Sequence, residues 1–368
     1  MFTAAQLRLF QILCLQAAED GVDVYLVGGP VRDALLGSPV ADLDFLVEGR
    51  AVVEFASACN RHLRGQLKVF ERFLTCKIVR PADFPSCSAI DFACARTELY
   101  EKPGSLPRVK PAAHVQDDLM RRDFSVNAMA LKVSDVLRLN AGQAPERGAV
   151  QKLILDPFSG MADLDKRLVR VLHCRSFIDD PTRIFRACRY SARLAGRLED
   201  DTAQLFEEAL SGGALKTVSA TRILNEVKKV CLEDRPADAI ALLYSAGVLQ
   251  AAGFMPPETD FHSVVQGLSA LPELKEQSML FETLLALCFS TFDNHGAAEF
   301  ISRFGLGIKK KEFYRRSLAG VSRGEFVPDL ASDHELLLRF CLTAQSEERN
   351  LILAEAARRG LCAAKGAE

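Results

Sequence analysis

Asp42 and Asp44 stand one residue apart, a short way downstream of the diglycine Gly28-Gly29. In an extended strand the side chains at i and i+2 leave the same face, so the two carboxylates converge while Leu43 and Phe45 turn inward. Paired hard oxygen donors suit magnesium, which keeps some of its water and completes its shell with substrate phosphates. Glycines let the backbone approach a phosphate closely, and Arg32, on the short helical piece that follows them, offers a guanidinium fork for triphosphate oxygens. A phosphate seat beside a metal seat points to nucleotidyl transfer. Two ions roughly 3.5 to 4 Å apart would activate an attacking hydroxyl and stabilise a leaving pyrophosphate. Asp91 is a candidate third carboxylate acting on that hydroxyl. Taken singly, each feature has a plainer reading: a solvated strand for Asp-x-Asp, and a surface ion pair with Asp33 for Arg32.

The elements that must hold these residues are legible in outline. Between residues 22 and 131 short β-rich runs (24–27, 42–47, 66–70, 73–79 and 89–94) alternate with helical pieces such as 51–63, which predicts an α/β head with a small sheet. From Leu164 onward the β-rich runs fade and apolar residues recur at helical spacing, as in Ala237, Ile240, Ala241, Leu243, Tyr244 and Val248. Pro-rich stretches at 103–111 and at Pro256-Pro257 read as a loop and a boundary. The expected organisation is a head at 1–150, a helical neck and body at 151–255, and a helical tail at 256–368.

Bulk properties narrow the class. The chain has 368 residues, 49% of them hydrophobic, and a formal net charge of −2. No global basic field announces a nucleic-acid partner, so any such contact must come from local basic faces. Eleven cysteines occur without a Cys-x-x-Cys pair, which argues against zinc and against a secreted disulfide framework. Residues 1–18 read as an amphipathic helix rather than a signal peptide, and no stretch approaches the roughly 20 apolar residues that span a membrane. A cytoplasmic protein with no membrane association is expected.

An ordered series of motifs resembles the class II tRNA nucleotidyltransferases and their relatives the bacterial poly(A) polymerases, within the DNA polymerase beta superfamily. Gly28-Gly29-Pro30-Val31-Arg32-Asp33 is similar to the first motif and Asp42-Leu43-Asp44 to the metal-binding pair. Arg121-Arg122-Asp123-Phe124-Ser125-Val126-Asn127-Ala128 resembles the ribose-selecting motif, and Asp156-Pro157-Phe158-Ser159-Gly160 the start of the element joining head to neck. Asp179-Asp180-Pro181-Thr182-Arg183-Ile184-Phe185-Arg186 is similar to the base-selecting motif, where the family often has Glu in place of Asp179. Ser219-Ala220-Thr221-Arg222-Ile223 resembles the neck motif after it. The series covers roughly two thirds of the chain.

The resemblance implies an α+β protein: a polymerase-beta-like head followed by all-helical neck, body and tail, acting with Mg2+ on CTP and ATP to extend the 3′ end of tRNA without a template. In that frame Arg121 and Arg122 contact the nucleotide's sugar and phosphate, Asp123 meets the ribose hydroxyl and Asn127 supports it. Asp180 and Arg183, three apart, share one face if both are helical. Their edges can imitate a base, accepting from the amino group and donating to the ring acceptors that cytosine and adenine both carry. Arg186, Arg189 and Arg193 extend a stripe along the same helix that could hold triphosphate or the tRNA end, although such stripes are also ordinary solvated faces. The segment 96–111 resembles the loop that helps relatives switch from C to A, and its prolines predict a semi-rigid version. Lys309-Lys310-Lys311 with Arg315 and Arg316 forms a basic cluster suited to RNA phosphates or to solvent.

Two other readings compete. A poly(A) polymerase would carry a Gly-Arg-Arg-Phe type segment soon after the carboxylates, and none is evident around residues 48–55. A catalytically idle RNA-binding module would have no need of both Asp42 and Asp44. No histidine is followed by Asp, so an attached metal-dependent phosphohydrolase domain is not expected.

Overall fold

The computed structural model describes residues 2–40, 42–49, 52–82, 84, 87–139, 147–259, 262, 265, 277–305 and 352. The chain divides into two compact units, residues 1–179 with 197–203, and residues 180–196 with 204–368.

The first unit opens with α1 (Ala4–Asp20), started by a reciprocal capping box between Thr3 and Gln6 and stopped by Gly21 at φ +64. Then come β1 (Val24–Val27), α2 (Gly29–Leu36), β2 (Asp44–Val47) and α3 (Val52–Leu63). A hairpin of β3 (Gln66–Phe70) and β4 (Thr75–Val79) leads to β5 (Ala89–Cys94). A second hairpin pairs β6 (Arg96–Leu99) with β7 (Arg108–Pro111), and α4 (Val115–Met120) follows. Next are β8 (Ala130–Lys132), α5 (Val133–Leu139), α6 (Arg147–Gln151), β9 (Ile154–Leu155), α7 (Gly160–Asp165), β10 (Leu168–Val169) and α8 (Ser176–Asp179). Seven strands form one mixed sheet in the order β3-β4-β5-β2-β1-β8-β9, with β2 and β5 its parallel pair.

One sheet face carries the aromatic core. Phe45 stacks on Phe92 at 5.7 Å, with Phe10 of α1 and Phe55 of α3 meeting them edge-on. The opposite face is covered around β1, β2 and β8 by Val115 and Leu119 of α4, which pack on Tyr25, Val27, Leu46 and Ala130. The runs at 66–70 and 89–94 become β3 and β5 with the expected bounds. In β5, Ile90, Phe92 and Cys94 are buried while Ala89, Asp91 and Ala93 are only half so.

Three expectations are corrected. The strand expected over 42–47 begins at Asp44, leaving Asp42 just ahead of it. The Pro-rich segment 96–111 is a hairpin rather than a loop; Pro111 is tolerated because β7 pairs on one side only. The region after Leu164 is not all helical, since β10 pairs in parallel with β11 (Arg197–Leu198), each strand only two residues long and too short for any periodicity to register.

The second unit contains α9 (Thr182–Arg193), after which β11 returns to the first unit, and α10 (Asp200–Ser211) begins there and continues into the second. It goes on through α11 (Ala220–Cys231), α12 (Pro236–Ser245), α13 (Val248–Ala251), α14 (Gln277–Ser290) and α15 (Asn294–Phe304). Ile184, Phe185, Ile223, Val227, Ile240 and Leu243 bury the mutual faces of α9, α11 and α12. The cluster Lys309–311 with Arg315 and Arg316 lies outside the described residues. No described helix is long and apolar enough to cross a membrane.

Gly160 is a tight constraint on this fold. A Cβ there would sit 2.2 Å from the Ser125 carbonyl oxygen, which is backbone and cannot swing aside. Gly160→Ala is expected to cost at least about 2 kcal/mol of stability, read as a lower urea midpoint; an unchanged midpoint would contradict this packing.

Candidate active site

The first unit's site is built on the turn between β1 and α2. Gly28 has φ +74, and its N–H donates to the Met129 carbonyl at 3.0 Å. A side chain at Gly28 would also meet the Arg122 guanidinium at 2.5 Å, so conformation and close approach both demand glycine. Gly29 starts α2, and Arg32 one turn on is 1% exposed. Its expected partner Asp33 is confirmed, with Nη2 to Oδ1 at 2.8 Å, but the pair is not a surface one. Arg32 also donates to the Asn127 side chain.

Arg121 and Arg122 close α4 and lead into extended residues and a 3-10 turn over Ser125–Asn127, rather than starting a strand or helix. Asp118, fully buried, anchors both arginines: its Oδ1 accepts from Arg121 Nε at 2.8 Å and its Oδ2 from Arg122 Nη2 at 3.1 Å. Burial works against the Arg121 charge, but Asp118 and Glu98 outweigh it and raise the pKa further. Arg122 Nη1 reaches the Asn127 carbonyl at 3.3 Å, and Asn127 Nδ2 donates to Asp123 Oδ1 at 3.1 Å. Gly28, Arg32, Arg121, Arg122, Asp123 and Asn127 thus form one connected network. Asp118 was the residue sequence reasoning passed over, although an acid three and four positions before two arginines signals such pairs.

The carboxylates lie beside this network. Asp44 opens β2, directly opposite Asp91 of the parallel neighbour β5. Leu43 and Phe45 are buried on the far side while Asp42 is exposed and Asp44 half-buried, the alternation that puts the two acids on one face. Asp91 pairs with Lys77 Nζ at 3.1 Å from β4. The Asp44 carboxyl is pushed up to about 6, first by burial and then by Asp91 and Asp42, with Arg122 and Lys77 pulling the other way. Such incompletely compensated negative charge fits a cation with a preference for oxygen donors. Among the described residues no group of three or more acid, histidine or cysteine side chains is close enough to hold a metal ion unaided.

The second unit carries the remaining predicted residues. Asp180 does not lie on the helix with Arg183: Pro181 and the helix start at Thr182 leave it ahead of α9, where its Oδ1 accepts from the Thr182 N–H and hydroxyl and pairs with Arg222 Nη2 at 2.7 Å. Arg183 is buried on the first turn. The arginine stripe is only partly solvated: Arg189 is buried, Arg186 half-buried and Arg193 exposed. Arg186, Arg189 and Arg193 ring Tyr190 at 5.5, 4.8 and 5.4 Å, and Arg189 and Arg193 both pair with Glu233. Burial would raise the Glu233 carboxyl, but Arg193 and Arg189 hold it below its usual range. The roles of Arg222 and Glu233 were missed because the pairs span roughly 40 residues of chain, beyond any local signal.

A mixed sheet with a glycine turn, a buried arginine behind it and acids at one strand end defines a nucleotidyltransferase head. Residues 24–170 match the family model of the poly(A) polymerase head domain. The A-adding tRNA nucleotidyltransferase of Halalkalibacterium halodurans is 39% identical over 252 residues, 68% of this chain and 54% of that protein. The CCA-adding enzyme of Pseudomonas entomophila is 32% identical over 69% of this chain and 61% of its own length. A solved CCA-adding enzyme in an apo form aligns over 98% of this chain and 84% of its own with a TM-score of 0.74 at 27% identity. A tRNA nucleotidyltransferase solved with a primer tRNA and an ATP analog aligns at 0.68, with 27% identity, over 96% and 98%. The chain belongs to the family of class II tRNA nucleotidyltransferases and bacterial poly(A) polymerases, a membership that implies dependence on a divalent metal ion. It spans about a quarter to three fifths of the length of the curated relatives it matches.

The raised Asp44 pKa has a stability consequence. With the folded value above the ordinary 3.8, the charged acid's opposition to folding grows from about pH 4, is complete above about pH 6, and vanishes near about pH 3 and below, where both states are protonated. Without divalent cations, Asp44→Asn should stabilise the fold by about 2 kcal/mol at pH 8 and by almost nothing at about pH 3, as read by thermal melts. A gain that grows toward acid would contradict the assignment.

Proposed function

We propose that this protein is a tRNA nucleotidyltransferase that adds at least the terminal A, from ATP, to tRNA ending in CC, using magnesium. The observation that carries the reading is the alignment of Asp44 with Asp91 on adjacent parallel strands, next to a glycine turn backed by Arg32 and Arg122. Asp42 and Asp44 would hold the cation, with Asp91 as the third carboxylate facing the attacking hydroxyl. When bound, a divalent ion supplies Lewis-acid activation of that hydroxyl and stabilises the leaving pyrophosphate. The chain's own part is to position. Gly28 and Gly29 admit phosphate oxygens, Arg32 and Arg122 supply fixed positive charge behind them, and Asp123, held by Asn127, offers a carboxylate to the ribose. Because Arg189 is committed to Glu233, its contribution to nucleotide binding is to fix α9 rather than to touch phosphate.

Asp180 and Arg183 would choose the base, with Arg222 fixing Asp180 so that its carboxylate keeps one orientation. Two relatives named as A-adding reach 38 and 39% identity, whereas those named CCA-adding enzyme or multifunctional CCA protein reach 31 to 35%, which favours A addition. A soluble cytoplasmic setting, where tRNA is matured, completes the reading.

The test supplies tRNA ending in CC with ATP alone, and tRNA lacking the whole end with CTP alone and with both nucleotides. Extension of the first is expected; no extension by ATP, with CTP extending the shorter tRNA, would make this a CC-adding enzyme instead. Asp42→Ala and Asp44→Ala should each lower turnover by several orders of magnitude while melting as folded proteins. Wild-type turnover in either would remove the metal assignment.

Base choice yields a separate expectation. Asp180→Ala and Arg183→Ala should relax discrimination among ATP, CTP, UTP and GTP by roughly tenfold to a hundredfold, the worth of one lost buried pairing group, with little change in tRNA affinity. Discrimination unaltered in both variants would mean that the base is selected elsewhere.

A further inference from the structure

The sheet face that bears Asp44 is only half covered. Beyond the cover of α4, the residues of β4 and β5 on that face, Lys77 and Asp91 among them, are half-buried and those of β3, Lys68 and Phe70, are exposed, while the other face of these strands packs on α3. Across the open part runs a single in-register row: Lys68 on β3 opposite Lys77 on β4, Lys77 opposite Asp91 on β5, and Asp91 opposite Asp44 on β2. Directly paired residues share a face, so two cations lead from the sheet edge to two carboxylates.

The arrangement is poor for stability. Like charges directly opposite one another on antiparallel strands repel, and Lys77 alone has an anion, Asp91 at 3.1 Å. Lys68 is exposed and has no carboxylate partner among the described residues. Lysine on an edge strand commonly guards against edge-to-edge pairing, but Lys77 lies one strand in, where no edge needs guarding. Phe70, on the same face as Lys68 and two residues along, is 46% exposed. Lysines at phosphate-tracking positions with an accessible aromatic ring beside them are the elements of a single-strand nucleic-acid surface. Strands are about 4.8 Å apart, so this row runs continuously from the carboxylates outward over a nucleotide or two.

We propose that the open face of β3 and β4 receives the 3′-terminal phosphodiester backbone of the RNA being extended, with Lys77 and Lys68 on its last phosphates and Phe70 against a base. This rests on the nucleotidyltransferase reading above. Incoming nucleotide is served from the other side of the carboxylates, by the Gly28 turn and Arg32, so the two lysines act on the primer and not on the triphosphate.

The experiment uses the full chain and tRNA ending in CC, measuring direct binding between 50 and 300 mM NaCl and steady-state extension with ATP. Lys68→Gln should weaken tRNA binding and raise its KM about three- to tenfold, reduce the salt slope by about 0.7, and leave the KM for ATP unchanged. Lys68→Arg should restore all three, and matching thermal melts will separate these effects from misfolding, which an exposed edge residue is not expected to cause. Wild-type tRNA affinity and salt slope in Lys68→Gln would overturn the proposal. So would a rise in the KM for ATP alone, which would give the lysine to the triphosphate. If the wild type binds tRNA but extends it with neither ATP nor CTP, the catalytic reading fails while the binding arm still decides the track; absence of any tRNA binding by the wild type overturns both.

Discussion

Buried Asp118 is the charge on which the head's site depends. Two arginines leave α4 side by side, and without an acid beneath them their guanidinium groups would repel each other and have no reason to enter the protein. With Asp118 in place, Arg121 is tied down and Arg122 is turned toward Gly28 and Asn127, and Asn127 in turn joins Arg32 to Asp123. A segment around residue 120 is thereby fastened to one around residue 30, and the turn at Gly28 acquires a wall of fixed positive charge. The small residue at Gly28 follows from this, because the Arg122 guanidinium occupies the volume that any side chain would need.

The same electrostatic logic runs in the opposite sense at the carboxylates. There the fold concentrates negative charge without fully compensating it, and the Asp44 carboxyl rises accordingly. The site thus sets an overdetermined cationic wall next to an underdetermined anionic pair, an asymmetry suited to a substrate that brings both phosphates and a metal. The second unit repeats the first pattern: Glu233 holds Arg189 and Arg193, and both lie over the Tyr190 ring.

What the sequence disclosed and what it withheld divide along physical lines. The strands at 66–70 and 89–94 could be read because one buried face imposes a period of two, and the motifs around Gly28, Asp44 and Arg122 because their residue types are contiguous. The hairpin at 96–111 was hidden by its prolines, which signal turns unless an edge position excuses them. Asp180 was taken for a helical neighbour of Arg183 when Pro181 already set the helix start beyond it. Lys77 opposite Asp91, Asp91 opposite Asp44 and Glu233 between two arginines are matters of register and long-range packing, and no window of the chain contains them.

The parallel pairing of β2 with β5 also governs when the site comes into being. Parallel neighbours need a crossover, and here it consists of α3, β3 and β4. A nascent chain that has emerged only as far as α3 carries Asp42 and Asp44 yet has nothing for them to converge with, because Asp91 is still to be synthesised. Contacts of such sequence separation form late, after their loop-closure entropy has been met. The mutual repulsion of the acids therefore arises only once β5 has joined β2, so the juxtaposition of Asp44 with Asp91 belongs to the assembled sheet and to no shorter segment of the chain.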